Sequence, residues 1–300
     1  MKIICLGKIF PIFLEFEMKI EVGRYEMDLD FDPRIRDNAS RTMIPIDDIG
    51  FIYNCVFKQK KAFEYSVEAI RRVYRDSKIY VVSDGGLDYS YMEDENLKFS
   101  MEEDTVSPAK EINGDNFENP EYQKIIKTGM AATLRRLEAG IEYCGNPEWI
   151  CMTEPDVLIR GKISHPENAK LIGTRVNEAW HSEKCLDQFM GMNMILGEIE
   201  GAIPVIRWGA VPVIFHTETF LKALQVYKDN FETLDKLTEQ HYNPGAFDIF
   251  VDLIFALVGE QEVYSSEYTE CLRNPIWKDS DHPIVHQFRD YYEKDDHFWT

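Results

Sequence analysis

Gly50-Phe51-Ile52-Tyr53-Asn54-Cys55 is an apolar run of strand length, continuous enough to be buried on both faces. Behind it, Phe63, Val67, Ile70 and Tyr74 recur at the spacing of the inner face of a helix over roughly 60–76. Lys78-Ile79-Tyr80-Val81-Val82-Ser83 then reads as a second buried strand, ending at Asp84-Gly85-Gly86. Strand, helix, strand at this spacing is a βαβ unit, which implies a parallel pair and a right-handed crossover. The fold class that follows is α/β.

A second unit follows an acidic, loop-like region at 88–118. Asn119 can cap a helix with Pro120 at its first position. Ile126, Met130, Leu134, Leu137, Ile141 and Cys144 continue at helical spacing, and Gly145-Asn146-Pro147 ends the helix. The apolar strand Trp149-Ile150-Cys151-Met152 comes next and runs straight into Thr153-Glu154-Pro155-Asp156. Pro155 biases Glu154 towards an extended conformation. In extended chain, residues i and i+2 project to the same side, so Glu154 and Asp156 can aim together. Two hard oxygen ligands at a strand end suit Mg²⁺ or Mn²⁺ that also holds phosphates. Taken alone, the pair reads better as a polar turn with spare acids. Its position closing a second βα unit, on the carboxyl edge where open α/β sheets bind ligands, favours a site. Asn54 and Asp84 end the other two strands and fall on the same edge.

The chain has 300 residues, 44% apolar and 13% aromatic, enough for a compact core in one large domain or two smaller ones. A formal charge of −20 argues against a general nucleic-acid binder and against docking on anionic membranes. The six cysteines (5, 55, 144, 151, 185, 271) form no CxxC pair; Cys55, Cys144 and Cys151 read as small core residues. The apolar stretch from Ile3 to Leu14 is broken by Lys8 and Pro11 and is too short to span a bilayer. With no transmembrane segment and no cleavage signal, a reducing, cytoplasmic setting is expected.

Residues 25–32 alternate as a strand with one wet face, and 33–48 reads as a connection. Further strands are expected near 170–175 and 203–215, with a helix from about Thr217 that turns Phe220, Leu224 and Tyr227 inward. Residues 246–258 form a helix that is apolar nearly all round, interrupted only by Asp248 and Asp252 one turn apart. An ionised carboxylate there is costly unless it is paired or faces a cleft, and Asp248 is an even choice between function and structure. Asp252 reads as structural. Arg135 or Arg136, on the helix before the acid pair, can reach a phosphate or ribose; surface ion pairs are the commoner fate of such residues. Trp180-His181 suits stacking on a sugar ring, with core packing of the tryptophan as the alternative. His282 and His286 are late candidates for a metal ligand, but Pro283 weakens their helical spacing and a surface position is favoured. The tail from 261 reads as a lid or a surface cover.

This order of elements resembles the GT-A glycosyltransferases over roughly 49–258. Ile79 to Gly86 looks like that family's nucleotide-contacting turn. Arg135-Arg136-Leu137-Glu138-Ala139-Gly140-Ile141, leading to Glu148 through Asp156, is similar to its helix-to-metal segment. Trp208-Gly209-Ala210-Val211-Pro212-Val213-Ile214-Phe215 resembles its acceptor-side strand, and Phe247 to Asp252 falls where inverting members keep an acidic base. The sequence departs from the family pattern twice: Glu154 replaces the first Asp of D-x-D, and Phe247-Asp248 stands where Glu-Asp is usual. The resemblance implies a GT-A-like three-layer α/β/α sandwich with a mixed, mainly parallel central sheet. Residues 1–48 would form an extension, 49–160 the nucleotide-sugar half, 161–260 the acceptor half, and 261–300 the tail or lid. Glu154 and Asp156 would bind Mn²⁺ or Mg²⁺; Asn54, Asp84, Arg135 and Arg136 the nucleotide-sugar; Trp180, His181, Trp208 and Gly209 the acceptor. Asp248 would be the catalytic base.

The activity implied is metal-dependent, inverting transfer of a hexose or pentose from a nucleoside-diphosphate sugar (a UDP-sugar) to a glycan or other hydroxyl acceptor. Two rivals stand beside it. A sugar-nucleotide nucleotidyltransferase would need a glycine-rich, basic loop after its first strand, and Asn54-Cys55-Val56-Phe57-Lys58 has no glycine. A catalytically inactive carbohydrate-binding or interaction protein of the same fold is separated by donor hydrolysis.

Overall fold

The computed structural model describes residues 3–7, 16–28, 42–56, 60–83, 88–102, 120–173, 183–205, 211–239, 247–261, 263–264, 268–271 and 282–287. Strands β1 (Ile3–Gly7), β2 (Phe16–Val22) and β3 (Tyr25–Asp28) make an antiparallel sheet of their own. Strand β4 (Met43–Pro45) interrupts what reads in sequence as a plain connection. Strand β5 (Ile49–Val56), helix α1 (Lys60–Val73) and strand β6 (Ile79–Ser83) are the expected βαβ unit, with β5 and β6 parallel.

The region 88–118 is not all loop. Strand β7 (Leu97–Met101) lies within it and pairs parallel with β6. It lies at one end of the sheet, where Glu93 accepts from Phe99 N–H at 3.0 Å and Asp94 N–H donates to Leu97 O at 3.1 Å. Helix α2 (Pro120–Cys144) starts at the proline, as expected. It stops in a Schellman motif: Asn146 N–H donates to Ile141 O at 3.0 Å and Gly145 N–H to Glu142 O at 3.0 Å, with Gly145 at φ +83°.

Strand β8 (Trp149–Thr153) is followed at once by β9 (Val157–Ile159), then β10 (Ser164–Pro166), paired with β4, and β11 (Leu171–Gly173). Helix α3 (Glu183–Leu196) leads to β12 (Val213–His216). That strand is shorter than the 203–215 expected from sequence, because residues 201–205 form no ladder. Helices α4 (Thr217–Asp229), α5 (Phe231–Glu239) and α6 (Phe247–Ala256) follow. Phe220, Leu224 and Tyr227 of α4 point inward as predicted, and α6 is buried along Phe250–Ala256.

The described parts of the tail are three short strands. Its strand β13 (Val263–Tyr264) joins the main sheet beside β11. Strands β14 (Tyr268–Cys271) and β15 (Ile284–Gln287) join β9 in a small sheet, ordered β14-β15-β9. The central sheet is seven-stranded, ordered β13-β11-β12-β8-β5-β6-β7, with antiparallel pairing only on either side of β12.

Alternation along β5 sets the layers. Phe51 and Tyr53 face α1: Tyr53 packs edge-on against Phe63 at 5.1 Å, and Phe51 lies 5.4 Å from Tyr74. Gly50 and Ile52 face α2, so closely that a Cβ on Gly140 would lie 2.6 Å from Ile52 Cδ1. Phe215 of β12 stacks on Phe220 at 4.7 Å and brings α4 and α6 to the α2 side. The molecule is a three-layer α/β/α sandwich with a mixed, mainly parallel sheet. Among the described residues, no helix is long and apolar enough to cross a membrane.

At the opposite edge of the sheet from the acid pair, His216 caps α4. Its Nδ1 faces Thr219 Oγ1 at 2.9 Å and the Thr219 N–H at 3.4 Å. Burial, then nearby Lys170, hold its pKa below the ordinary 6.5, against the opposing pull of Glu148 and Glu218. The unfolded chain therefore takes up this proton first as pH falls. The cap's contribution is complete above pH 6.5 and is lost as pH drops through 6.5 to the lower folded-state value. His216→Asn keeps a capping side chain without titrating, so its thermal midpoint is expected to vary less with pH between about 5 and 8 than that of the parent. An identical pH slope in the two proteins contradicts this assignment.

Candidate active site

Because β5, β6, β7 and β8 all run parallel, their carboxyl ends share one edge. That edge gathers Asn54, Glu102, Thr153 and the segment after β8. In this segment Asp156 does not continue an extended chain from Glu154. Val157 N–H donates to Glu154 O at 3.1 Å, so residues 154–157 form a tight turn that folds β8 back into β9. Pro155 occupies the second position of the turn, where its fixed φ is favoured. The turn that the sequence offered as one reading of this segment is present.

Asp156 is 2% exposed and its Oδ2 lies 3.7 Å from His286 Nε2. Glu154, Asp156 and His286 each offer a ligand atom, and these atoms lie within 4.8 Å of one another. His286 arrives on β15, where it is the cross-strand partner of Val157, the residue next to Asp156. The sequence favoured a surface position for it. The i, i+4 spacing of His282 and His286 is irrelevant, because Pro283 leads into a strand rather than a helix. The usable signal was the apolar pair Ile284-Val285 before the histidine, which marks a short strand. Two carboxylates and one imidazole fit a divalent first-row cation better than a purely oxygen-seeking one.

A second polar group lies beside the first. The Arg136 side chain is fully buried; Nε donates to Glu102 Oε2 at 3.0 Å and Nη1 to Asn54 O at 2.8 Å. Arg135, half exposed, donates to the same Glu102 oxygen at 2.8 Å. Burial pushes the Glu102 carboxyl up, but hydrogen bonds from Arg135 and Arg136 outweigh it and hold its pKa below the ordinary range. Glu102 sits one residue past β7, in a stretch whose composition reads as loop. Asn54 is 1% exposed, and its Oδ1 and Nδ2 have no hydrogen-bond partner among the described residues. A buried amide in that state is a ready contact for a polar ligand.

The remaining expectations fall unevenly. Asp248 lies on α6, with its side chain outside what is described, and Asp252 on the same helix is buried. Asp84, Trp180, His181, Trp208 and Gly209 lie outside the described residues. Cys151 is buried and Cys144 partly so, both as free thiols. Burial pushes Cys144 up to about 12, consistent with a packing role rather than a nucleophile.

No family model and no curated protein matches the chain. Among solved structures, it is similar to the galactosyltransferase LgtC in complex with donor and acceptor sugar analogs. That match has 13% identity and a TM-score of 0.43, covering 80% of this chain and 86% of LgtC. An active-site mutant of LgtC matches at 14% identity and a TM-score of 0.45, with the same coverage. The PaToxG glycosyltransferase matches at 11% identity and a TM-score of 0.31, covering 76% of this chain and 83% of that one. Overlaps this loose leave the functional reading to the site itself.

Glu102→Ala strands the Arg136 guanidinium in the interior with one fewer acceptor. The expected loss is about 3 kcal/mol, at the low end for breaking a buried pair. Urea unfolding measures it, and a midpoint equal to the parent's would show that the buried arginine does not depend on Glu102.

Proposed function

We propose that the chain is a glycosyltransferase that moves a hexose or pentose from a nucleoside-diphosphate sugar, a UDP-sugar in the first instance, to a hydroxyl of a glycan or other acceptor. The observation that carries this reading is the convergence of Glu154, Asp156 and His286 on the carboxyl edge of the parallel strands. Glu154 and Asp156 would hold a divalent cation through carboxylate oxygens and His286 through Nε2. The imidazole favours Mn²⁺ over Mg²⁺. When bound, such an ion neutralises charge that develops on the leaving diphosphate.

The chain's own groups supply the rest. The Asn54 amide offers one donor face and one acceptor face to the nucleobase end of the donor. Arg136, committed to Glu102 and to the main-chain carbonyl of Asn54, fixes the backbone that carries that amide; Arg135, half exposed, is the arginine that reaches the nucleotide. Asp84 joins the nucleotide contacts, while Trp180, His181, Trp208 and Gly209 build the acceptor side. Asp248 on α6 takes the acceptor hydroxyl's proton as its oxygen attacks the anomeric carbon, and direct displacement inverts that centre. In this reading residues 49–160 serve the donor and 161–260 the acceptor, with His286 brought in from the tail.

Incubation with a panel of nucleotide sugars and Mn²⁺ is expected to release nucleoside diphosphate. Chelation, or Asp156→Ala, is expected to stop the release. Silence from every donor, with and without metal, rules the activity out. Asp248→Asn is expected to keep donor binding, read as a donor-dependent rise in thermal midpoint, while transfer falls by about 10²–10⁴-fold. Undiminished transfer would remove Asp248 from the mechanism.

A further inference from the structure

Ser66 sits in the interior of α1, fully buried, where serine is a poorer helix former than alanine. A serine in such a place commonly bonds back to its own helix. This one instead reaches out of the helix: Oγ donates to the Val157 carbonyl at 2.5 Å, ninety-one positions along the chain. Tyr53 of β5, also fully buried, places its hydroxyl 2.6 Å from Ser66 Oγ. The single Ser66 proton is spent on a carbonyl that can only accept, so Tyr53 is the donor in the second bond. Burial holds the Tyr53 hydroxyl well above the ordinary tyrosine range, so it keeps its proton. The result is a one-way relay, Tyr53 to Ser66 to Val157.

This relay spans the base of the ligand turn. Tyr53 is the cross-strand partner of Thr153, the last residue before the turn, and Val157 is the first strand residue after it. Val157 meets every part of the candidate centre. Its N–H closes the turn onto Glu154, its carbonyl is held by Ser66, it follows Asp156 in the chain, and it is the cross-strand partner of His286 on β15. A shift of Val157 would therefore move both carboxylates relative to the imidazole.

We infer that Ser66, backed by Tyr53, is a positioning residue for the divalent-cation site, setting the distance of Glu154 and Asp156 from His286 through the Val157 carbonyl. The inference rests on the metal reading above. Neither residue touches the cation.

The test is a titration of the metal-free, full-length chain with Mn²⁺ alone, reading free Mn²⁺ by electron paramagnetic resonance, alongside thermal midpoints. Ser66→Ala is expected to weaken Mn²⁺ about tenfold, the lower end of what groups supporting metal ligands cost. Ser66→Thr, which keeps the hydroxyl, is expected to restore binding. Tyr53→Phe is expected to lose less than Ser66→Ala, and the double variant no more than Ser66→Ala, because Tyr53 acts only through Ser66. Tyr74→Phe is the control: its hydroxyl accepts from Ile163 N–H at 2.7 Å, a comparable buried tie away from the turn. It is expected to lower the midpoint and leave Mn²⁺ affinity unchanged. Folded Ser66→Ala that binds Mn²⁺ as the parent does overturns the inference while leaving the metal site standing. A parent that binds no Mn²⁺ overturns both. If Ser66→Ala does not fold, Tyr53→Phe decides: parental affinity there overturns the inference, and a loss supports it.

Discussion

A parallel strand buried on both faces is the constraint from which the rest of the molecule follows. Strand β5 has parallel neighbours on each side, so both of its faces must be covered by something other than water. Phe51 and Tyr53 take α1, while Gly50 and Ile52 take α2 at a distance that only glycines allow. Parallel register then has a second consequence. Strands that share a direction end on the same edge, so Asn54, Glu102 and the Glu154-Pro155-Asp156 turn are assembled there without any loop having to reach for them.

That edge is also where the interior tolerates charge. Arg136 is fully buried, and the cost of desolvating a guanidinium is offset by Glu102 and by the Asn54 carbonyl. Asp156, almost as deeply buried, has His286 beside it. The first cluster locks α2 to β5 and to the end of β7; the second joins the β8–β9 turn to a strand from the C-terminal region. The first cluster is a closed ion pair, and the second brings two carboxylates and an imidazole together at the same edge of the sheet.

Much of this was readable one residue at a time. Pro120 starts α2 and Gly145-Asn146 stops it, because a ring that fixes φ and a residue free to take positive φ act locally. Phe63, Val67 and Ile70 face the core because helical periodicity needs no partner to be visible. Errors arose where distant chain decided the outcome. Strand β7 looked like loop because its pairing with β6 supplies what its composition does not. The chain expected to stay extended from Glu154 to Asp156 turns at Pro155-Asp156, and β9 then pairs with β15. Glu102 was invisible as a partner for arginines more than thirty positions away.

By itself the sequence determined the α/β class, the two βα units and the placement of an acid pair at a strand end. Periodicity, capping and proline chemistry are all properties of short windows. Only the tertiary structure decided that His286 joins that pair, that Arg136 is interior, and that Ser66 reaches Val157. Each of these depends on which strand lies beside which. Strand neighbourhood is set by the burial of whole faces, and no local window of the chain contains that information.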